Sequence, residues 1–148
     1  MKKASIKYLF IAMTSLVGCS NQTFFEEYDF NSGEYELYGI GSEGGRTYFT
    51  ENVGNFVISD TATLNKIKQD WKIHLTDKRM PCGFSYIMLL MKEDTCVREF
   101  RVNLDCEYLI CENEWFEFPA KLLNKYENSV TKISRQEADT VFRRVFKK

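Results

Sequence analysis

The sequence predicts an α+β domain, a mostly antiparallel β-sheet with a central helix and a C-terminal helix packed on it. Three observations carry this. Residues 34–59 break into short β-branched and aromatic runs separated by Gly and Asn, the text of an antiparallel meander. Residues 84–104 read as a hairpin in which one strand is apolar throughout and its partner alternates. Residues 61–75 and 135–146 switch to apolar spacings of three and four, the period of a helix that buries one stripe. The chain has 148 residues, 44% hydrophobic and 15% aromatic, with only two prolines and eight glycines. That is bulk enough for one core, and it excludes a disordered, collagenous or multidomain chain.

Taken in order, Tyr35, Leu37 and Tyr38 to Ile40 form the first predicted strand. A Gly-rich turn, a strand over 46–50, a turn over 51–54 and a strand over 55–59 follow. The helix over 61–75 carries Leu64, Ile67, Trp71 and Leu75 on one stripe, with Asp60 or Thr61 as its cap. Residues 84–91 are apolar on both alternating faces, as in a central strand. Residues 92–95 turn the chain, and 96–104 return with Phe100, Val102 and Leu104 on one face against Glu99, Arg101 and Asn103 on the other. Two further strands, 107–111 and 115–118, flank Glu112-Asn113-Glu114. Pro119 then opens a short helix through Tyr126. Ser134 and Glu137 are spaced as a capping box, before a terminal helix whose Ala138, Val141, Phe142, Val145 and Phe146 share one face. That face docks on the sheet, the alternative being a bilayer surface, since Arg143, Arg144, Lys147 and Lys148 stand beside it.

The first eighteen residues are organised differently. Lys2, Lys3 and Lys7 precede an uncharged run over 8–17, which has the length and flanks of a secretory leader. A spanning helix needs about 20 apolar residues. The run ends in Leu16-Val17-Gly18-Cys19, which resembles the lipobox of bacterial lipoproteins. The resemblance implies that the Cys19 thiol receives diacylglycerol, that cleavage makes Cys19 the mature N-terminus, and that acyl chains hold the protein on a membrane. Ser20 after the cysteine implies, on the enteric pattern, an outer-membrane destination facing the periplasm. The organisation expected is a signal peptide over 1–18, a tether over 19–33 that partly docks, and a single domain over 34–148.

Formal net charge is −1. Removing the three leader lysines leaves 17 basic against 21 acidic residues, a net of −4. Such a surface is repelled by anionic head groups, so lipid and not a basic patch would hold it at the membrane. It offers no case for a nucleic-acid partner.

Four cysteines follow Cys19, namely Cys82, Cys96, Cys106 and Cys111, and an exported chain can oxidise them. If Met91 faces Cys96 across the hairpin turn, facing residue numbers add to 187, which puts Cys82 opposite Asp105 and within reach of Cys106. A Cys82–Cys106 disulfide is expected. Cys96 with Cys111 is a second pair, free buried thiols being the alternative. No metal site is expected, because no C-x-x-C is present and His74 is the one histidine.

Residues 39–44 match the spacing G-x-G-x-x-G. No helix pattern follows to receive a pyrophosphate, and Glu43 adds like charge, so a flexible hairpin loop is expected and no nucleotide or other cofactor. His74 has no nucleophile motif to activate, and Glu112, Glu114 and Glu117 occupy a turn and a strand edge. The expectation is therefore no enzyme. It is a lipid-anchored lipoprotein of the bacterial cell envelope, acting as a non-catalytic binding or accessory component of an envelope assembly through a protein partner. The alternative is a periplasmic inhibitor or immunity protein neutralising a toxin or hydrolase.

Overall fold

A computed structural model describes residues 23–42, 47–79 and 81–147. The leader, Cys19, Glu43 and Gly44 lie outside the described residues. The strands are β1 Tyr35–Gly41, β2 Phe56–Ile58, β3 His74–Leu75, β4 Tyr86–Lys92, β5 Thr95–Asn103, β6 Tyr108–Cys111, β7 Glu114–Glu117 and β8 Thr131–Lys132, and the helices are α1 Tyr48–Asn52, α2 Thr61–Asp70, α3 Lys121–Asn124 and α4 Arg135–Phe146. The strands form one antiparallel sheet in the order β3-β7-β6-β5-β4-β1-β2-β8. The expected α+β class is the observed one. Its two edge strands have two residues each, too short to recruit another chain's strand.

The apolar run of β4 lies at the centre of the sheet. Tyr86, Met88 and Leu90 point into the main core on one face, with Leu64 and Ile67 of α2, and Leu89 and Met91 point to the other face against Val141 of α4. Helix α2 starts on Asp60, whose carboxylate accepts the Thr63 amide at 2.8 Å. Helix α4 starts on the expected capping box: Ser134 Oγ accepts the Glu137 amide at 3.2 Å and the Glu137 carboxylate accepts the Ser134 amide at 2.7 Å.

From Thr23 onward, the segment expected to be a tether belongs to the core. Phe24, Phe25 and Phe30 are buried, and Phe25 stacks on Trp71 with ring centroids 5.5 Å apart. Arg98 of β5 clamps the segment: one guanidinium nitrogen donates to the Phe24 carbonyl at 2.5 Å and another to Glu27 at 2.7 Å. The same guanidinium lies over the Phe24 and Tyr28 rings. Its side chain is only 15% exposed, so the bond to the Phe24 carbonyl is shielded from competing water, while Glu27, 58% exposed, holds the guanidinium from the solvent side.

Several elements differ from expectation. Residues 47–52, expected to begin as strand, form α1, because Thr47 and Thr50 cap each other reciprocally and the buried Phe49 and Val53 fall one turn apart. Helix α2 stops at Asp70 rather than 75. Trp71 leaves the helical conformation, and its indole N–H donates to the Leu122 carbonyl at 3.0 Å. Leu75 is consequently a strand residue, 66% exposed. The helix expected from Pro119 to Tyr126 is α3 followed by a 3-10 turn at Glu127–Ser129. Gly39 and Gly41 sit inside β1, not in a hairpin loop. Gly39 faces Phe56 on β2, and a Cβ there would stand 2.2 Å from the buried Phe56 ring.

Cys82 and Cys106 form a disulfide, with Cα atoms 6.7 Å apart. Met91 does face Cys96, but a bulge next to Met91 shifts the rest of the hairpin by one, so that Leu90 faces Arg98 and Tyr86 faces Val102. Prolonging that corrected register brings Cys82 directly opposite Cys106. Cys96 and Cys111 are free. The expected second pair is not formed: Cys96 packs on the face covered by α4, whereas Cys111 points into the main core on the opposite face.

Two stability outcomes are expected. Cys82→Ser and Cys106→Ser each lower the thermal midpoint of oxidised protein, the bond spanning 24 residues and contributing about 3 kcal/mol by chain entropy. The double variant melts with the singles, and an additive loss in it would show that each thiol has a separate role. Gly39→Ala costs about 1–3 kcal/mol through overpacking against Phe56, read by denaturant unfolding. An unchanged midpoint would mean that the ring moves aside freely.

Candidate functional site

The sheet face that carries α4 is covered unevenly. Over β1 and β4, Tyr38, Ile40, Ile87, Leu89 and Met91 pack beneath Val141 and Val145 of the helix. Beyond them, over β5 to β7, the same face forms a groove of about 780 Å³. Strand alternation decides what lines it. Ile87 faces Arg101, Arg101 faces Ile110, and Ile110 faces Trp115, so directly opposed residues set these four side chains in one row across four strands. Phe84 and Glu99 flank the row, and Arg144 and Val145 of α4 form one rim.

The groove pairs cations with aromatic faces. Arg101 lies 5.2 Å from the centre of the Phe84 ring and Arg79 lies 5.2 Å from the centre of the Trp115 ring. Arg101 also approaches Glu99 at 3.7 Å, and Arg144 pairs with Asp94 at 3.0 Å. These pairs are solvent-exposed and add little to stability. They leave cations and carboxylates of both signs free to exchange partners with a bound molecule.

Below the aromatic row, the disulfide corner holds a polar network. The Tyr108 hydroxyl donates to the Cys82 carbonyl at 2.5 Å, and the Asn103 amide donates to the Gly83 carbonyl while its oxygen accepts the Cys106 amide at 2.6 Å. Ser85 Oγ accepts the Leu104 amide at 2.9 Å. Burial raises the Tyr108 pKa, so the hydroxyl keeps its proton and its donor role at neutral pH. The Tyr108 ring lies 4.8 Å from Trp115 and 6.3 Å from Phe84, centroid to centroid. The bond between Cys82 and Cys106 thus supports the floor of the groove.

The residues singled out in the sequence do not converge on one place. Cys96 lines the groove, and its thiol donates to the Arg98 carbonyl at 3.5 Å. Cys111 is in the core behind it. His74 is exposed on β3 opposite Glu117. Glu112 and Glu114 are exposed at the β6–β7 turn, where Glu112 and Asn113 adopt φ of 50° and 67°, the conformation of a tight hairpin. Among the described residues, no three His, Cys, Asp or Glu side chains are placed to hold a metal ion, and no helix is long and apolar enough to cross a membrane. Trp115, Phe84 and Arg79 were not singled out as site residues in the sequence. Alternation assigns Trp115 a face within β7, but Arg79 and Phe84 lie in the connection between β3 and β4, and which strands lie side by side is not written in any one of them. Compared with protein-family models, curated proteins and solved structures, the chain matches none.

Burial pushes both the Cys96 and the Cys111 thiol above the ordinary 9.0, which lowers the thiolate fraction available to an electrophile. Alkylation of native protein by iodoacetamide, followed peptide by peptide, should have its pH midpoint above that of denatured protein at both positions. Identical profiles for the two states would refute the burial effect.

Proposed function

We propose that the chain is a membrane-anchored lipoprotein of the bacterial cell envelope, facing the periplasm, whose work is non-catalytic binding as an accessory component of an envelope assembly. The observation that carries the binding part is the uncovered half of the α4 face, where Phe84, Ile110 and Trp115 stand between Arg79, Arg101 and Glu99. Tryptophan and arginine are the side chains that most often anchor protein interfaces, because each combines a large contact area with a directional polar group. The resemblance of residues 16–19 to a lipobox supports the anchor. An inhibitor of a cationic toxin or hydrolase would favour a face of uniformly acidic charge. Here Arg79, Arg101 and Arg144 share the groove region with Glu99 and Asp94, which supports the assembly reading over the inhibitor.

The test uses the detergent-solubilised protein. Wild type should carry radioactive palmitate and co-purify with a defined envelope protein. Cys19→Ala should lose the label, and Trp115→Ala and Arg101→Glu should each weaken recovery of the partner at least about tenfold, the scale of an interface anchor of 1.4 kcal/mol or more. Thermal midpoints of the two groove variants serve as the folding control. Recovery that survives both groove substitutions would move the binding face elsewhere, and palmitate retained by Cys19→Ala would end the anchor reading.

A further inference from the structure

We infer that the folded domain is seated directly on the bilayer that carries its lipid, with the β3 edge and Leu75 in the interfacial layer; this rests on the lipoprotein reading of Cys19. Thr23, the first of the described residues, bridges to Lys72, and the Phe24 amide donates to the Trp71 carbonyl at 2.9 Å. Only residues 20–22 separate Thr23 from Cys19. Four Cα-to-Cα steps reach at most about 14 Å, whatever their conformation. The acyl chains are therefore held close to one place on the domain.

That place displays one large apolar side chain, Leu75, at the β3 edge. Thr23 lines a crevice of about 320 Å³ together with Ile73, Leu75 and Phe116. Leu75, 66% exposed, is the most exposed large hydrophobic side chain among the described residues. A leucine displayed to water gains by entering the head-group and acyl boundary, and the lipid confines it there at no further cost in translational freedom. Glu26, Glu112 and Glu114 line the same crevice and would repel anionic head groups, so the contact is carried by Leu75 and favours a neutral bilayer. The opposite edge, β8, is seven strand-to-strand steps away, about 30 Å along the sheet, and points away from the membrane.

The experiment places an environment-sensitive nitrobenzoxadiazole label at Leu75→Cys or, as reference, at Thr131→Cys on β8, each in mature lipidated protein that also carries Cys96→Ser and Cys111→Ser. Both positions are exposed, so labelling leaves the core intact. In phosphatidylcholine vesicles, emission from position 75 should shift to the blue and rise about twofold, as expected for transfer into the interfacial layer, while position 131 stays water-like. A flexible Gly-Ser insertion after Ser20 should weaken the response at 75. If position 75 stays water-like in protein whose mass includes the acyl chains, or if both positions respond equally, the edge-on seating is wrong and the anchor stands. A mature mass without acyl chains overturns the lipoprotein reading, and the seating with it.

Discussion

Strand β4 buries Tyr86, Met88 and Leu90 on one face and Leu89 and Met91 on the other, so the sheet beside it must be covered from both sides. A sheet left bare there would expose side chains whose burial is worth about 1.5–3 kcal/mol each. The chain meets this demand with two different covers. On the main-core side, α2, Trp71 and the segment from Thr23 to Phe30 form a broad layer rich in aromatic rings. On the other side a single helix, α4, lies over β1 and β4 through Val141 and Val145. One helix is about 10 Å wide, and it cannot also shield β5 to β7. The groove with Arg101, Ile110 and Trp115 is thus a consequence of how little material covers the second face.

Arg98 connects the two ends of the proposed membrane arrangement. By holding the Phe24 carbonyl and Glu27 while lying on the Phe24 and Tyr28 rings, it makes the residues next to Thr23 part of the packed domain. A loose segment of the same length would let the domain drift far from any anchor at Cys19. A docked one restricts both the distance and the orientation. The Lys68 ammonium donating to the Tyr28 carbonyl at 2.6 Å and the Tyr28 hydroxyl donating to the Val97 carbonyl at 3.0 Å extend the same attachment further along the segment.

The disulfide acts at the opposite end of the β4–β5 hairpin from its turn. It fixes Gly83 and Phe84 against Asn103 and Tyr108 through the carbonyls of Cys82 and Gly83, and so determines where Phe84 stands relative to Trp115. The groove is accordingly built on β5 to β7 and on a connection whose Phe84 end is pinned by a covalent link, which suits a surface that must be preorganised for binding.

The amino-acid sequence by itself determined the α+β class, the two-faced central strand, the hairpin partner, the Ser134–Glu137 cap and the Cys82–Cys106 pair, because each depends on residues close in sequence or on a single local register. It resembles a lipobox at residues 16–19 for the same reason. The bulge beside Met91 shows the limit of such reasoning: the expected register was one residue off over most of the hairpin, yet Cys106 lay near enough to be found. Only the tertiary structure decided that Thr47 to Asn52 turns into a helix, that Leu75 leaves the Trp71 stripe for an exposed edge, and that Cys96 and Cys111 point to opposite faces. It alone set Phe84, Arg79 and Trp115 beside one another. Arg79 and Phe84 lie in the connection between β3 and β4, and Trp115 lies on β7, with β4, β5 and β6 between them in sequence; the forces that join them, cross-strand pairing and the shared burial of distant side chains, act between segments whose neighbourhood no local pattern encodes.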